Sequence, residues 1–222
     1  MKKVIPILSV PVVPTEEAID FSVNKNMSKL QESIGQLSHL LFDETPEVPK
    51  MYASPNVKFT RLLSIIEEVD KIISPHTACG KGCSHCCNMA VGITQWEADR
   101  IGKHLGITPE SIPEITLSTV DDYHKQVKQS VKDYLNVPCP FLDSNECSVY
   151  EVRPIACRTC YNMSDYPILC DTLNHNGLDV PNLNMMTIWT ACADVGVQGG
   201  HGVFGDIREF FTMEKYNAAR DI

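Results

Sequence analysis

The residues with the clearest chemical potential are four cysteines within nine positions of the chain, Cys79, Cys83, Cys86 and Cys87. Intervals of two and three residues bring cysteine sulfurs together across a turn, as in loops that chelate soft metals. Two glycines inside this stretch permit the tight backbone conformations that such a loop needs. Cys86 and Cys87 are adjacent, so we expect their side chains to diverge, with one serving a second site or packing as a buried thiol.

A second group of cysteines runs from Cys139 through Cys147 to the pair Cys157 and Cys160. A C-x-x-C pair is typical of thioredoxin-like redox motifs, but no βαβ pattern surrounds this one. We therefore interpret the group as the source of the ligands that the first loop lacks. The predicted metal ligands are Cys79, Cys83, Cys86, Cys87, Cys139, Cys147, Cys157 and Cys160.

Three cations lie beside these cysteines: Lys81, Arg153 and Arg158. Four thiolates leave a net negative charge, both around a divalent ion and on an oxidised four-iron cluster. Nearby cations offset that charge and donate hydrogen bonds to sulfur. We therefore predict that these three residues contact the bound cofactor.

Four runs of residues form a combined pattern: Cys79-x3-Cys83-x2-Cys86-Cys87, Cys139-Pro140-Phe141-Leu142, Cys147-x-Val149-Tyr150 and Arg153-Pro154-x2-Cys157-Arg158. This pattern resembles the YkgJ-type cysteine cluster proteins, a family described as a zinc- or iron-chelating domain with a CxxCxxCC-like signature. The resemblance spans residues 76–165. It implies that the family's characteristic cysteines fall at Cys79, Cys83, Cys86, Cys87, Cys139, Cys147 and Cys157.

The sequence departs from the family pattern in two places. The first interval between cysteines is three residues rather than two, and Thr159-Cys160 replaces the family's aromatic-Pro step after the Cys-Arg pair. The resemblance leaves open the roles of Cys160, Cys170 and Cys192, and the sequence leaves open those of His85 and His201.

Spacing alone does not choose the metal, because thiolates suit both zinc and iron–sulfur clusters. A structural zinc site would use two C-x-x-C knuckles, here Cys83 with Cys86 and Cys157 with Cys160. The triplet that starts at Cys79 is also the C-x3-C-x2-C spacing that holds a four-iron cluster with one open iron in radical S-adenosylmethionine enzymes. Flagellin lysine-N-methylases carry a similar cysteine domain, and this resemblance favours a 4Fe-4S cluster narrowly over zinc.

The leading hypothesis is a protein that holds an iron–sulfur cluster, or zinc, through clustered thiolates. The alternative is an iron–sulfur enzyme with an open iron, including S-adenosylmethionine-dependent modification of a protein or peptide. A standard radical barrel is not expected, because the chain lacks alternating strands and helices. A third class is an oxidised, secreted protein with up to five disulfides. Whether the chain is an enzyme, and whether it has a further protein or small-molecule partner, stays open at this point.

Composition excludes other classes of function. The 222 residues carry 19 basic and 28 acidic side chains, a net charge of −9, so we expect neither nucleic acid nor an anionic membrane as a partner. No apolar run is long enough to span a bilayer. Prolines interrupt the apolar N-terminal run, which disfavours a signal peptide. We therefore expect a cytoplasmic protein whose thiols stay reduced.

The elements that must position these cysteines are mostly helices. We predict a mainly α fold, a small helical domain with irregular cysteine-rich metal-binding loops. An N-terminal arm and helical section would occupy residues 1–75, and a cysteine cluster metal-binding domain residues 76–222. Apolar spacing predicts helices from Thr15 to Phe42, over 62–73, over 118–136 and over 206–219. Thr94 and Glu97 form a capping box for a helix that ends at Gly106.

Other segments are predicted to be irregular or extended. Strand signals are limited to 3–13 and 90–93, and residues 162–205 contain many turn-forming residues.

Overall fold

The computed structural model describes residues 13–113, 120–175, 177–198, 203–212 and 216. For residues 120–124, 126, 127 and 197 it describes the backbone alone. In this part of the chain the fold is mainly helical with little strand, which confirms the predicted fold class. The α-helices are α1 Glu16–Leu30, α2 Ile34–Ser38, α3 Pro55–Ile73, α4 Gln95–Leu105, α5 Val120–Tyr134, α6 Ile155–Arg158, α7 Met186–Gln198 and α8 Ile207–Phe210. The strands are β1 Gly92–Thr94, β2 Leu142–Asp143, β3 Glu146–Cys147 and β4 Phe204–Asp206.

The N-terminal section is helical but not one continuous helix. Thr15 caps α1 by accepting a hydrogen bond from the backbone N–H of Ala18 at 3.3 Å. After α2 the chain continues through a wider turn, His39–Glu44, and then a 3₁₀ turn. The buried Thr45 hydroxyl donates to the carbonyl of Leu40 at 2.7 Å and stabilises this turn. The helical path therefore extends beyond the predicted end at Phe42, in several short pieces.

Helices α3 and α7 pack against each other in the first hydrophobic cluster. α3 begins at Pro55, whose fixed φ and missing N–H suit the first helical turn. α7 lies inside the stretch that we predicted to be rich in turns, and that prediction was wrong for these residues. Ile188 and Val195 of α7 are fully buried, so packing against α3 stabilises the helix. The Asn184 side chain accepts from the N–H of Met186 at 2.9 Å, a capping signal that the sequence reading overlooked.

Helix α4 starts at the predicted capping box and ends at Gly106, which has a positive φ of 71°. It follows β1, which pairs antiparallel with β4. The predicted strand at 90–93 is thus displaced to Gly92–Thr94. β4 leads into α8, which ends at Phe210, because Phe211 is extended with φ −135° and ψ 95°. The predicted helix over 206–219 is therefore wrong at Phe211 and Thr212, whereas Tyr216 is helical and its N–H donates to the carbonyl of Thr212 at 3.1 Å; residues 213–215 and 217–222 lie outside the described ranges.

Two clusters of buried apolar side chains form the core of the described chain. The first joins α3 and α7 with Ile155, Tyr161 and Met163, so residues on both sides of position 75 contribute to it. The second includes Ile93 and Phe141 together with Phe210 and Phe211. The proposed division at residue 75 stays a prediction.

Two further predictions concern the edges of the described ranges. The predicted strand at 3–13 and the predicted helix start at Ser118 lie outside the described residues, apart from Val13. No helix in the described ranges combines the length and the apolar character that crossing a membrane requires.

Glu97 connects α4 to the helix that carries Cys157. Its carboxylate is buried and accepts from the N–H of Thr94 at 2.9 Å and from the Thr94 hydroxyl at 3.0 Å. The second carboxylate oxygen accepts from the N–H of Ile155, the first residue of α6, at 2.8 Å. Burial raises the pKa of Glu97, and these hydrogen bonds oppose the rise. One side chain therefore fixes both the start of α4 and the position of α6.

The substitution Glu97→Gln should lower the free energy of unfolding by about 1–3 kcal/mol, because an amide nitrogen would face N–H donors in a buried site. Urea unfolding followed by circular dichroism measures the change. Asp99→Asn, an exposed position on the same helix, is the matched control and should change stability by less than about 0.5 kcal/mol. Equal losses in the two variants would contradict the role of Glu97.

Candidate metal centre

Nine of the ten cysteines line a single cavity, which we call the sulfur cavity. They are the eight predicted ligands and Cys170. Apolar side chains, including Val91, Phe141 and Ile207, complete the wall, and none of the described residues that line it is Asp or Glu. Its volume of about 100 Å³ is several times the space that one water molecule needs. The site therefore offers sulfur donors in apolar surroundings, which is the chemistry that soft metals prefer.

The tenth cysteine, Cys192, lies elsewhere. It is buried in the first hydrophobic cluster, on α7, and does not line the sulfur cavity. Cys192 is therefore a core residue.

Backbone hydrogen bonds shape the first cysteine loop, residues 79–88. The N–H of Cys83 donates to the carbonyl of Gly80 at 3.0 Å, and that of Cys87 donates to the carbonyl of Ser84 at 3.0 Å. Gly82 has a φ of 93°, a conformation that favours glycine. The loop therefore folds as two consecutive tight turns that bring its sulfurs to one side.

The second cysteine segment, residues 139–160, is attached directly to the first loop. The N–H of Cys139 donates to the carbonyl of Cys87 at 2.7 Å. A two-stranded hairpin then pairs Leu142 with Cys147, which returns the second sulfur to the cavity. Ser144 and Asn145 make its turn with positive φ angles of 51° and 65°. The hairpin explains why cysteines eight residues apart face the same cavity.

Arg208 is a functional candidate that the sequence reading missed. Its guanidinium donates to the carbonyls of Cys87 at 3.3 Å and Met89 at 3.0 Å, and also to that of Val137. An ion pair of 2.8 Å with Asp206 holds it in place. Arg208 thereby connects the first cysteine loop to Val137, which lies just before the second cysteine segment. Its sequence position carried no signal, because the contacts span more than seventy residues.

The three predicted cations occupy different positions. Arg153 lines the sulfur cavity, and its guanidinium carbon lies 3.9 Å from the ring centroid of Tyr150. Its positive charge counters the rise in the pKa of Cys86 and Cys147. Lys81 lies over the same ring at 5.7 Å and is not part of the cavity wall. Arg158 also lies off the wall and donates to the carbonyls of Arg153 at 2.9 Å and Glu151 at 2.6 Å, so it supports the turn that carries Arg153.

Cys170 and Asn162 are further residues that the sequence reading did not assign to the site. Asn162 is fully buried; its backbone N–H donates to the sulfur of Cys79 at 3.3 Å, and its side-chain amide donates to the sulfur of Cys170 at 3.5 Å. The thiol of Cys79 in turn donates to the carbonyl of Cys160 at 3.4 Å. N–H groups directed at sulfur stabilise the thiolate form. A cysteine count could have suggested Cys170, but nothing local suggested Asn162.

Cys86 and Cys87 are adjacent in the chain, and both face the same cavity. The neighbouring Cys87 thiol and burial together raise the pKa of Cys86 strongly. Both side chains line the sulfur cavity, and the expectation that they serve different sites stays a prediction.

Burial governs the protonation of the other thiols as well. Burial raises the pKa of Cys139 to about 11 and that of Cys160 and Cys170 to about 12, since a thiolate loses its hydration in apolar surroundings. Neighbouring thiols raise these pKa values further. The pKa of the fully buried Cys157 also lies well above its usual value. At neutral pH the metal-free protein therefore carries these thiols in the protonated form.

The donor set fits a thiophilic metal centre. Within the described ranges no three His, Cys, Asp or Glu side chains are already arranged around one point as metal ligands. The sulfurs instead surround a shared cavity. Arg153 adds a buried Nε that has no hydrogen-bond partner among the described residues. A buried N–H without an acceptor fits a site whose metal-bound sulfurs would accept it.

Fold and site together define a mainly helical cysteine-cluster protein. Residues 78–179 match the family model CxxCxxCC, described as "Putative zinc- or iron-chelating domain". This match over residues 78–179 confirms the resemblance to YkgJ-type cysteine cluster proteins seen in the cysteine spacing. No curated protein and no solved structure matches the chain.

Metal binding should release protons, because thiols with raised pKa values must lose them to become ligands. Adding Zn²⁺ to the metal-free chain at pH 7 in weak buffer should release roughly four protons per ion from a four-thiol site. The affinity should therefore rise with pH from neutral pH up to the raised pKa values. A pH indicator and a competing chelator measure these two quantities. An affinity that is independent of pH between 6 and 8 would contradict thiol ligation.

Proposed function

We propose that the chain holds an iron–sulfur cluster through cysteine thiolates in the sulfur cavity. The observation that carries this proposal is the convergence of nine cysteines on one cavity without a carboxylate in its wall. The proposed ligands come from Cys79, Cys83, Cys86, Cys87, Cys139, Cys147, Cys157 and Cys160, and we add Cys170. When bound, the cluster supplies electron transfer or structural cross-linking.

Three features support iron–sulfur over a lone zinc ion. A tetrahedral zinc ion needs only four donors, and the cavity offers more than twice that number. The cavity volume exceeds what a single ion requires. The sulfurs also receive N–H donors from Asn162 and positive charge from Arg153, and such groups tune the reduction potential of a cluster.

The alternative of an enzyme with an open iron has less support. This alternative requires that a cluster bound by Cys79, Cys83 and Cys86 have no fourth cysteine ligand. Cys160 and Cys170 lie beside Cys79 and supply further sulfurs on that side of the cavity. We therefore propose a fully sulfur-ligated centre. A chain with ten free thiols fits a reducing compartment, so the proposal includes a cytoplasmic location.

The decisive experiment is metal analysis and absorption spectroscopy of the full chain purified without oxygen. The proposal expects iron, acid-labile sulfide and a broad visible absorption band that bleaches on reduction. Stoichiometric zinc in a colourless protein would replace the cluster with a zinc centre. The absence of both metals would contradict metal binding altogether.

Removal of one proposed ligand should also destabilise the fold, because the cysteine segments contain little regular structure of their own. Cys157→Ala should lower the free energy of unfolding of the metal-loaded protein by more than about 2 kcal/mol, together with metal content. Cys192→Ala is the matched control, a buried cysteine outside the cavity. It should cost about 1 kcal/mol through lost packing and leave metal content unchanged. Thermal unfolding of both variants, with and without chelator, provides the measurement, and unchanged metal content in Cys157→Ala would contradict ligation by that residue.

A further inference from the structure

We infer that the sulfur cavity holds two adjacent metal centres, each with four cysteine sulfurs, with Cys86 between them. This inference rests on the proposed function, since it assumes that the cysteines bind metal. It assigns Cys79, Cys83, Cys160 and Cys170 to one centre and Cys87, Cys139, Cys147 and Cys157 to the other. We call these the first and the second sulfur set.

Hydrogen bonds hold the first sulfur set together. Cys79 contacts the carbonyl of Cys160 at 3.4 Å, and Asn162 donates to the sulfurs of both Cys79 and Cys170. The short helical turn at His85–Asn88 also packs against the turn Pro167–Cys170, which brings Cys170 to the first loop. These contacts place Cys170, the most distant of the set in sequence, beside the sulfur of Cys79.

The second sulfur set belongs to the second hydrophobic cluster. Cys139 is buried in that cluster, and Cys87, Cys147 and Cys157 pack against it. No member of the first set packs in this cluster among the described residues. The hydrogen bond of 2.7 Å between the N–H of Cys139 and the carbonyl of Cys87 ties two members together. The two sets are therefore separated by their packing as well as by their hydrogen bonds.

Cys83 lies in the same tight turn as Cys79, because its N–H donates to the carbonyl of Gly80 at 3.0 Å. Cys86 directly precedes Cys87 of the second set on the turn His85–Asn88, and this turn packs against the turn that carries Cys170 of the first set. This position places Cys86 between the two sets.

The C-x-x-C pair is split by this arrangement. Cys157 lies in the second set on α6, whereas Cys160, which follows the helix, lies in the first. A single zinc knuckle built from both residues is therefore not the arrangement that we propose. Each centre instead joins the first cysteine loop to residues beyond position 138, so each closes a long loop of the chain.

The charge balance also fits two centres. Four thiolates on each of two divalent ions leave a larger negative charge than one centre does, and more cations are needed. Arg153 lines the cavity, and Arg208 donates to the carbonyl of Cys87 of the second set at 3.3 Å. The first set instead receives the N–H donors of Asn162. Each centre thus has its own source of compensation.

Native mass spectrometry tests the inference on the full chain, both as purified without oxygen and after metal removal and loading with Co²⁺. We expect two centres per chain in the parent protein, and two Co²⁺ ions with the absorption of tetrahedral thiolate sites. Cys170→Ser and Cys139→Ser should each retain one centre, and Cys192→Ser should retain both. A parent protein with only one metal centre would overturn the inference. The inference would also be overturned if Cys170→Ser and Cys139→Ser both lost that one centre to the same extent. A parent that binds no metal would instead contradict the proposed function.

A second measurement on the parent protein avoids variants that fail to fold. One equivalent of Co²⁺ is added to the metal-free chain, and the remaining thiols are alkylated and mapped by peptide mass spectrometry. Protection of the four cysteines of one set, with labelling of the other set, supports two separate centres. Protection that mixes Cys79 and Cys83 with Cys139 and Cys147 at one equivalent would overturn the division.

Discussion

The structure depends on the concentration of cysteine sulfur in one cavity with apolar walls. Burial and neighbouring thiols raise the pKa of these groups, because thiolates lose their hydration there. A bound metal requires the thiolate form of its cysteine ligands. The charge of the metal, N–H donors and nearby cations must therefore together offset the hydration that the thiolates lose. Asn162 provides N–H donors to two of the sulfurs, and Arg153 provides a positive charge beside them.

A few buried polar side chains connect the cysteine segments to the helical core. Glu97 links α4 to α6, Arg208 links the first loop to the approach of the second segment, and Asn162 links Cys79 to Cys170. Irregular loops must satisfy their backbone groups without a helix or sheet, and side chains from distant elements do so here. The loops are consequently held by long-range hydrogen bonds although they contain little regular structure.

Local signals predicted part of this fold well. The capping box at Thr94 and Glu97 needs only neighbouring residues, and the structure contains both of its hydrogen bonds. Helix α7 was missed because its apolar residues gave no clear one-sided periodicity and its stability comes from packing against α3. The last predicted helix is interrupted after α8, because Phe211 is buried in the second cluster on an extended stretch of chain rather than on a helical face.

The sequence by itself determined the type of donor group in this protein: the cysteine intervals are those of a chelating loop, and residues 78–179 match the family model of a zinc- or iron-chelating domain. Only the tertiary structure decided which sulfurs face one another, since it brought Cys170 into the cavity and left Cys192 in the core. The contacts of Arg208 with the carbonyls of the first loop also depend on the tertiary structure. The physical reason is that spacing fixes contacts across one or two turns, whereas contacts between distant segments depend on core packing and long-range hydrogen bonds.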